Sequence, residues 1–398
     1  MAQRFNWCTI YTGLWCIMHL KGVLYSADAI SVAVYWLIML MSIICFIKVI
    51  IKPTNLPILK ALNVLTIMFI IYGVFNIVFE YPIKTSWNII PTDFYLKNLL
   101  NSLLPIYSYY YFAQNGYITK KWIICFAIVF LVIAFGRYIV SLHKAMERRL
   151  AEGNEVTNNA GYYFVALMPL ACFFNKRPLF QYIYLALCMV MILAAMKRGA
   201  ILIGSVCMIW FLYRSISTSS NWTKFMYIIL SVAIVLVVYY FVSYQLETNL
   251  YFQSRLEATL EGNSSSRDKL YTIFYDMIFD RNIFYMLFGQ GADSTIRLGP
   301  NYAHNDWLEI GVNQGFLGII IYAFFIIQLF RFWFSIYGNT VLKTAIGMAV
   351  IIFFLKSIFS MSVNNLDIYV SLLFGYSMAW YNESEYKGIS QYEDSISN

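Results

Sequence analysis

Charge is scarce in this chain. Of its 398 residues, 28 are Lys or Arg and 20 are Asp or Glu, a charged share of 12%. A soluble domain carries about a quarter charged residues, so a soluble globular fold is excluded. Histidine is scarcer still, with three copies: His19, His143 and His304. No HExxH pair or cysteine–histidine cluster occurs to suggest a metal site, and no glycine loop with a following lysine is present to cradle a nucleotide phosphate. No cofactor is expected. The seven cysteines (Cys8, Cys16, Cys45, Cys125, Cys172, Cys188, Cys207) all sit in apolar runs, which reads as small core hydrophobes rather than disulfides. There is no block of like charge either. The net +8 is spread over many short segments, which excludes nucleic acid as a partner and fits anionic lipid headgroups or phosphate-bearing substrates.

What is abundant is apolar length. The chain is 61% hydrophobic and 19% aromatic, with mean hydropathy +0.64. A span needs about 20 apolar residues. Hydropathy predicts spans near 7–24, 28–50, 58–79, 95–113, 121–142, 159–175, 178–195, 199–216, 223–243, 307–330, 341–361 and 366–381. The fold class is therefore all-α, a polytopic membrane protein of about twelve transmembrane helices. Lys48, Lys52 and Lys60, Lys120 and Lys121, Lys176 and Arg177, Arg214 and Lys224, and Arg331 and Lys343 fall in alternate connections. The positive-inside tendency puts these, and both termini, in the cytoplasm. The division is 1–243 for the first nine spans, 244–303 for one large loop on the outer side, 304–382 for the last three spans, and a short cytoplasmic tail at 383–398. The tail, polar from about 382, is expected to be disordered.

Loops as long as 244–303 rarely lack a purpose. Within it, Ser264–Ser266 precede Arg267-Asp268-Lys269-Leu270, a helix start with acid in its first turn. Leu270, Ile273, Phe274, Met277 and Ile278 then recur at helical spacing, which predicts an amphipathic helix suited to a membrane surface. Phe288-Gly289-Gln290-Gly291 breaks it.

Chemistry is carried by few residues. His304 stands at the mouth of a predicted span, where a neutral imidazole can take a proton from a hydroxyl; the alternative is a helix-end anchor. At about 100° per residue, Gly311, Gly315 and Gly318 lie within roughly 40° of the His304 face, leaving a groove for a lipid chain or simply for tight helix packing. Lys197 and Arg198 share a tight turn between two apolar segments. There they are either interfacial anchors or a diphosphate clasp, since a guanidinium offers a forked contact. Arg267 adds a cation at a helix N-terminus, an anion-friendly place, unless it is a solvated surface charge. Arg255, Arg281 and Arg297 share its loop, and periodicity does not rank them. Arg137, Lys356 and Asp367 are intramembrane or span-end charges, and Lys356 and Asp367 are placed to pair. Loop acids (Asp268, Asp276, Asp280, Asp293) leave a weakly held divalent ion open.

His304-Asn305, the ten residues that separate His304 from Gly315, and then Gly318 resemble the signature of the bacterial O-antigen ligase and O-antigen polymerase superfamily. Arg198-Gly199 opening a span, and Arg267 followed by an amphipathic helix and Phe288-Gly289-Gln290-Gly291, resemble that family's arginines and glycine turn in the same order. Residues 185–320 carry the likeness. The resemblance implies a GT-C-like, metal-independent, inverting glycosyltransferase of the bacterial inner membrane, with the loop and active site facing the periplasm. The donor it implies is an oligosaccharide on undecaprenyl diphosphate. His304 would act as base, and Arg198 and Arg267 would hold the leaving diphosphate. Lys197, Asn305, Gly311, Gly315 and Gly318 are the candidate substrate-binding residues, with membrane lipid and a chain-length regulator protein as further candidate partners. The low-charge, Tyr- and Ile-rich composition resembles polymerases of O-antigen or capsule loci, with ligase as the alternative. A lipid-linked oligosaccharide flippase or transporter is a second alternative, although repeated halves are not evident. A non-catalytic scaffold is the third.

Overall fold

The computed structural model describes residues 6–21, 23–26, 28–79, 83–84, 89–152, 158–248, 253, 257, 267–279 and 282–397. It is a helical bundle. Its elements are α1 (Trp7–Leu20), α2 (Asp28–Ile51), α3 (Pro57–Val78), α4 (Phe94–Gln114), α5 (Lys120–Glu152), α6 (Gly161–Leu167, continued as a 3₁₀ turn over Met168–Phe174), α7 (Pro178–Ala194), α8 (Arg198–Ser217) and α9 (Asn221–Thr248). They continue with α10 (Arg267–Phe279), α11 (Ile283–Phe288), α12 (Ser294–Arg297), α13 (Asp306–Ser335), α14 (Thr340–Phe359) and α15 (Ile368–Ser397). A two-residue antiparallel ladder, β1 (Ile83–Lys84) with β2 (Ile89–Ile90), sits in the α3–α4 connection.

Each predicted span coincides with helix, the sixth with α6 and its 3₁₀ continuation, because apolar runs have no better way to satisfy their backbone in lipid. Among the described residues, six helices are long and apolar enough to cross a membrane: α2, α3, the first 25 residues of α5, α8, α13 and α14. Exposed Trp36, Leu37, Ile209 and Ile320 stud the outside of these helices, the pattern of a surface solvated by lipid rather than water. The chain is a multi-pass membrane protein. Three boundaries differ from hydropathy. α5 runs to Glu152, α9 to Thr248 and α15 to Ser397, since polar residues of good helix propensity extend a helix past its apolar part. The tail expected to be disordered thus continues α15. Ser264–Ser266, Arg255, Asp280 and Arg281 lie outside the described residues.

α13 is not one continuous helix. Gly315 has φ +66° and ψ −161° inside it, so the turn before the break loses its partners further along the chain. The Gly289-Gln290-Gly291 turn supplies replacements. The Gln290 N–H donates to the Val312 carbonyl at 2.8 Å and the Gly291 N–H to that of Asn313 at 3.0 Å. The approach needs both glycines. A Cβ on Gly289 (φ +75°) would lie 2.4 Å from the Asn313 carbonyl, and one on Gly315 would lie 2.5 Å from the Gly289 nitrogen. The loop after α11 is thereby fixed to the first half of α13. α10 packs there too, with Phe274 and Ile278 buried and Ile278 against Gly311. The predicted amphipathic periodicity of α10 is present, but its apolar face meets protein at these positions.

Candidate functional site

A cavity of about 560 Å³ opens at one end of the bundle. Five interhelical connections contribute to it. α4 brings Tyr95 and Asn98 from its first turns, and the turn before α6 brings Asn159 with Tyr162 and Tyr163 following. The α7–α8 turn brings Lys197; the α9–α13 segment brings Arg267, Asp293, Tyr302 and His304; the α14–α15 connection brings Asn364 and Asp367, with Lys356 from α14. Side chains scattered over some 270 positions of sequence thus share one polar chamber.

His304 is held in a left-handed conformation, φ +50°, which an L-residue adopts only when its surroundings over-determine it. Both neighbours are tied down. The Ala303 N–H donates to Glu309 Oε2 at 2.9 Å. Asn305 caps α13, its Oδ1 accepting from the N–H groups of Trp307 and Leu308 at 2.9 and 3.1 Å. Its Nδ2 donates to the Ile358 carbonyl of α14 at 3.1 Å. Among the described residues three non-glycines have positive φ: His304, Asp293 and Met196. Two of them line the cavity, and the third precedes Lys197, which does. Such clustering of backbone strain is a mark of functional sites. Burial, then Arg267, then Lys197, hold the His304 pKa below its ordinary value, so the ring is a neutral imidazole with a lone pair at neutral pH.

The cations approach from two directions. Arg267 heads α10, its Nη1 donating to the Phe359 carbonyl at the end of α14 at 2.8 Å. Lys197 ends the α7–α8 turn. Arg198 opens α8 next to it and is not among the side chains lining the cavity. Lys356 pairs with Asp367 at 3.1 Å, the two side chains 4% and 8% exposed, and donates to the Asn365 carbonyl at 2.5 Å. This is the pairing the sequence anticipates, now found on the cavity wall. Arg137 lies over the Tyr163 ring at 4.3 Å, backing a residue of the same wall.

The other expected substrate contacts are placed differently. Asn305 is the α13 cap. Gly311, Gly315 and Gly318 face Ile278, the Gly289 turn and Gln314 respectively, and none lines the cavity. The helical wheel linking them to His304 does not apply, because α13 begins at Asp306, after His304, and breaks at Gly315. An apolar groove exists elsewhere. A volume of about 870 Å³ lies between α3 (Ile71, Tyr72, Phe75), α11 (Phe284, Phe288) and the second half of α13 (Leu317). Gly289–Ala292 line this groove, and the next residue, Asp293, lines the polar cavity.

Two acids had no assigned role in the sequence. Glu309 accepts hydrogen bonds from Thr295 and Asn313 besides Ala303, locking the loop before His304 to α13. Asp306 accepts from the Ser362 and Val363 N–H groups and from the Tyr322 hydroxyl, which ties in the α14–α15 connection. In sequence they resemble ordinary first-turn acids at a helix N-terminus; their i, i+3 spacing into a span is the available signal. Among the described residues no three His, Cys, Asp or Glu side chains are grouped to share a metal ion.

Fold and site together describe a multi-pass helical membrane protein whose polar chamber joins a neutral imidazole to paired cations beside an apolar groove. Residues 183–323, from α7 into α13, match the family described as O-antigen ligase. The match covers about a third of the chain and likens that segment to the O-antigen ligase and polymerase superfamily, whose members are membrane glycosyltransferase-like enzymes. No curated protein matches the chain.

Proposed function

We propose that this chain is a membrane glycosyltransferase of the polymerase type, acting on the periplasmic face of a bacterial inner membrane. It would transfer a growing glycan from undecaprenyl diphosphate to the next lipid-linked repeat unit. The observation that carries this reading is the shared cavity of His304, Arg267 and Lys197.

The chemistry follows from those groups. The His304 lone pair takes the proton of the acceptor hydroxyl as its oxygen attacks the anomeric carbon of the donor sugar. The bond from that carbon to the diphosphate oxygen breaks on the opposite face, which inverts the configuration. The departing diphosphate gains negative charge as it leaves, and Arg267 and Lys197 stabilise it in a chamber partly shielded from water. Arg198, next along the chain, is a further diphosphate cation on the family resemblance. The apolar groove beside the Gly289 turn fits a polyprenyl tail, since its lining is almost wholly aliphatic and aromatic. Ligation of glycan to lipid A–core needs the same base and cations and is the alternative.

The test is deletion and complementation. Surface polysaccharide from a strain lacking the chain should lose its long forms and keep one repeat unit on the core. Loss of every repeat indicates a ligase instead. Complementation with His304→Ala should fail to restore length while the protein still inserts; a normal length distribution from that variant would sink the transferase reading.

A further inference from the structure

We infer that Asp293 is the sugar-recognising carboxylate of this site, accepting hydrogen bonds from hydroxyls of the glycan bound beside His304. The inference deepens the proposed transferase reading and rests on it.

Asp293 stands on the cavity wall and is 3% exposed. Its Oδ2 is buried and has no hydrogen-bond partner among the described residues. A buried acceptor left without a donor is costly and uncommon. The side chain has an obvious local use that it does not take. It stands at the N-cap position of α12, yet makes no capping hydrogen bond. Its backbone is held left-handed, φ +56°, two residues after Gly291 of the turn whose N–H groups are fixed to α13. The fold therefore holds this carboxylate in place and leaves one oxygen for something absent from the protein itself.

The ligand's chemistry follows from the surroundings. A carboxylate repels phosphate, so Asp293 does not face the diphosphate, which Arg267 and Lys197 attract. Sugar hydroxyls are neutral donors, and carboxylate oxygens accept from them at close range. Tyr302 lines the same chamber and offers a ring face and a phenol group to a pyranose, while Tyr95 is buried beside it with its hydroxyl held by Gln314. Burial and nearby Glu309, offset in part by Arg297, raise the Asp293 pKa to about 7. Above that pH the ionised group accepts the stronger, charge-assisted hydrogen bond that an amide cannot supply. The cavity is thus divided into a cationic region for diphosphate and an Asp293 region for sugar.

The experiment compares two probes on purified protein in nanodiscs, with His304→Ala as the background so that nothing turns over. One probe is undecaprenyl diphosphate; the other is the same lipid carrying one glycan repeat, extracted from the deletion strain. Asp293→Asn is the variant of choice, because Asn is isosteric and tolerates the left-handed region. It should weaken binding of the glycan-bearing lipid about 10-fold or more, roughly the loss expected for one buried charged hydrogen bond, and leave the bare lipid within about 2-fold. Equal weakening of both probes makes Asp293 merely structural and overturns the inference. So does wild-type-like binding of both. If the His304→Ala protein binds neither lipid before Asp293 is touched, the transferase reading falls and takes this inference with it. Asp293→Glu, which keeps the charge but shifts the oxygen, should also weaken only the glycan-bearing probe.

Discussion

At the residue scale the site is a matter of which side chain is aimed where. His304 keeps its role as the candidate base because both flanking residues are committed to holding it, Ala303 through Glu309 and Asn305 through the α13 cap. The pH dependence of transfer follows from its neighbours. A base works when unprotonated, so the rate rises as pH climbs through its pKa. Burial, Arg267 and Lys197 all lower that pKa, so the acid limb should fall below the ordinary histidine value of about 6.5. Removing one depressing cation by Lys197→Met should move the limb upward, towards that value. Asp293 titrates near neutrality as well, so the profile is read in the Asp293→Asn background. A limb that stays put in Lys197→Met would mean that Lys197 and His304 do not share the chamber. The sequence singled out His304 through scarcity and position, and Arg267 through its place at a helix start and the family resemblance. It ranked Arg198 above Lys197, whereas Lys197 lines the cavity and Arg198 does not, since adjacent residues at a turn point in directions that only the surrounding packing fixes.

At the element scale the decisive feature is the interrupted α13. The spacing of Gly311, Gly315 and Gly318 is equally compatible with a smooth helix face and with a break, because periodicity assumes the very continuity in question. The break exists because the Gly289 turn, which precedes α12 in the chain, supplies hydrogen bonds for the released carbonyls. Two substitutions separate conformational strain from steric conflict. Gly338 has φ +73° and open space around its Cβ position, so Gly338→Ala should cost only about 1–2 kcal/mol of left-handed strain. Gly315→Ala adds a clash with the backbone of Leu287 and Gly289. It should sharply cut the yield of folded, detergent-extractable protein and lower the melting temperature well below that of Gly338→Ala. Equal effects from the two would show that the turn does not press on α13 as described.

At the scale of the whole molecule, the cavity exists because five connections meet at one end of the bundle. The Lys356–Asp367 pair helps close that end, linking α14 to the connection before α15. A buried pair of this kind is more costly to break than to replace. Lys356→Met should destabilise the protein by about 3–5 kcal/mol, by leaving the Asp367 charge uncompensated, and Lys356→Met with Asp367→Leu should recover most of the loss. Thermal unfolding in detergent reads both. If the single variant melts like wild type, the pair does not hold this end together.

Composition alone determined that the chain is a bundle of membrane helices, because long apolar segments in lipid have few other ways to satisfy their peptide groups. It also located the long apolar helices, with differences at their ends, and it offered candidates for proton and phosphate chemistry. Tertiary structure decided the rest. It tied the α13 cap Asn305 to α14, filled the glycine positions with packed protein, brought Tyr95, Lys197, Asp293 and Asp367 to one wall, and chose Lys197 over its neighbour for the lining. The cavity wall depends on contacts between segments far apart in the chain, and local sequence carries no term for a partner that arrives from elsewhere.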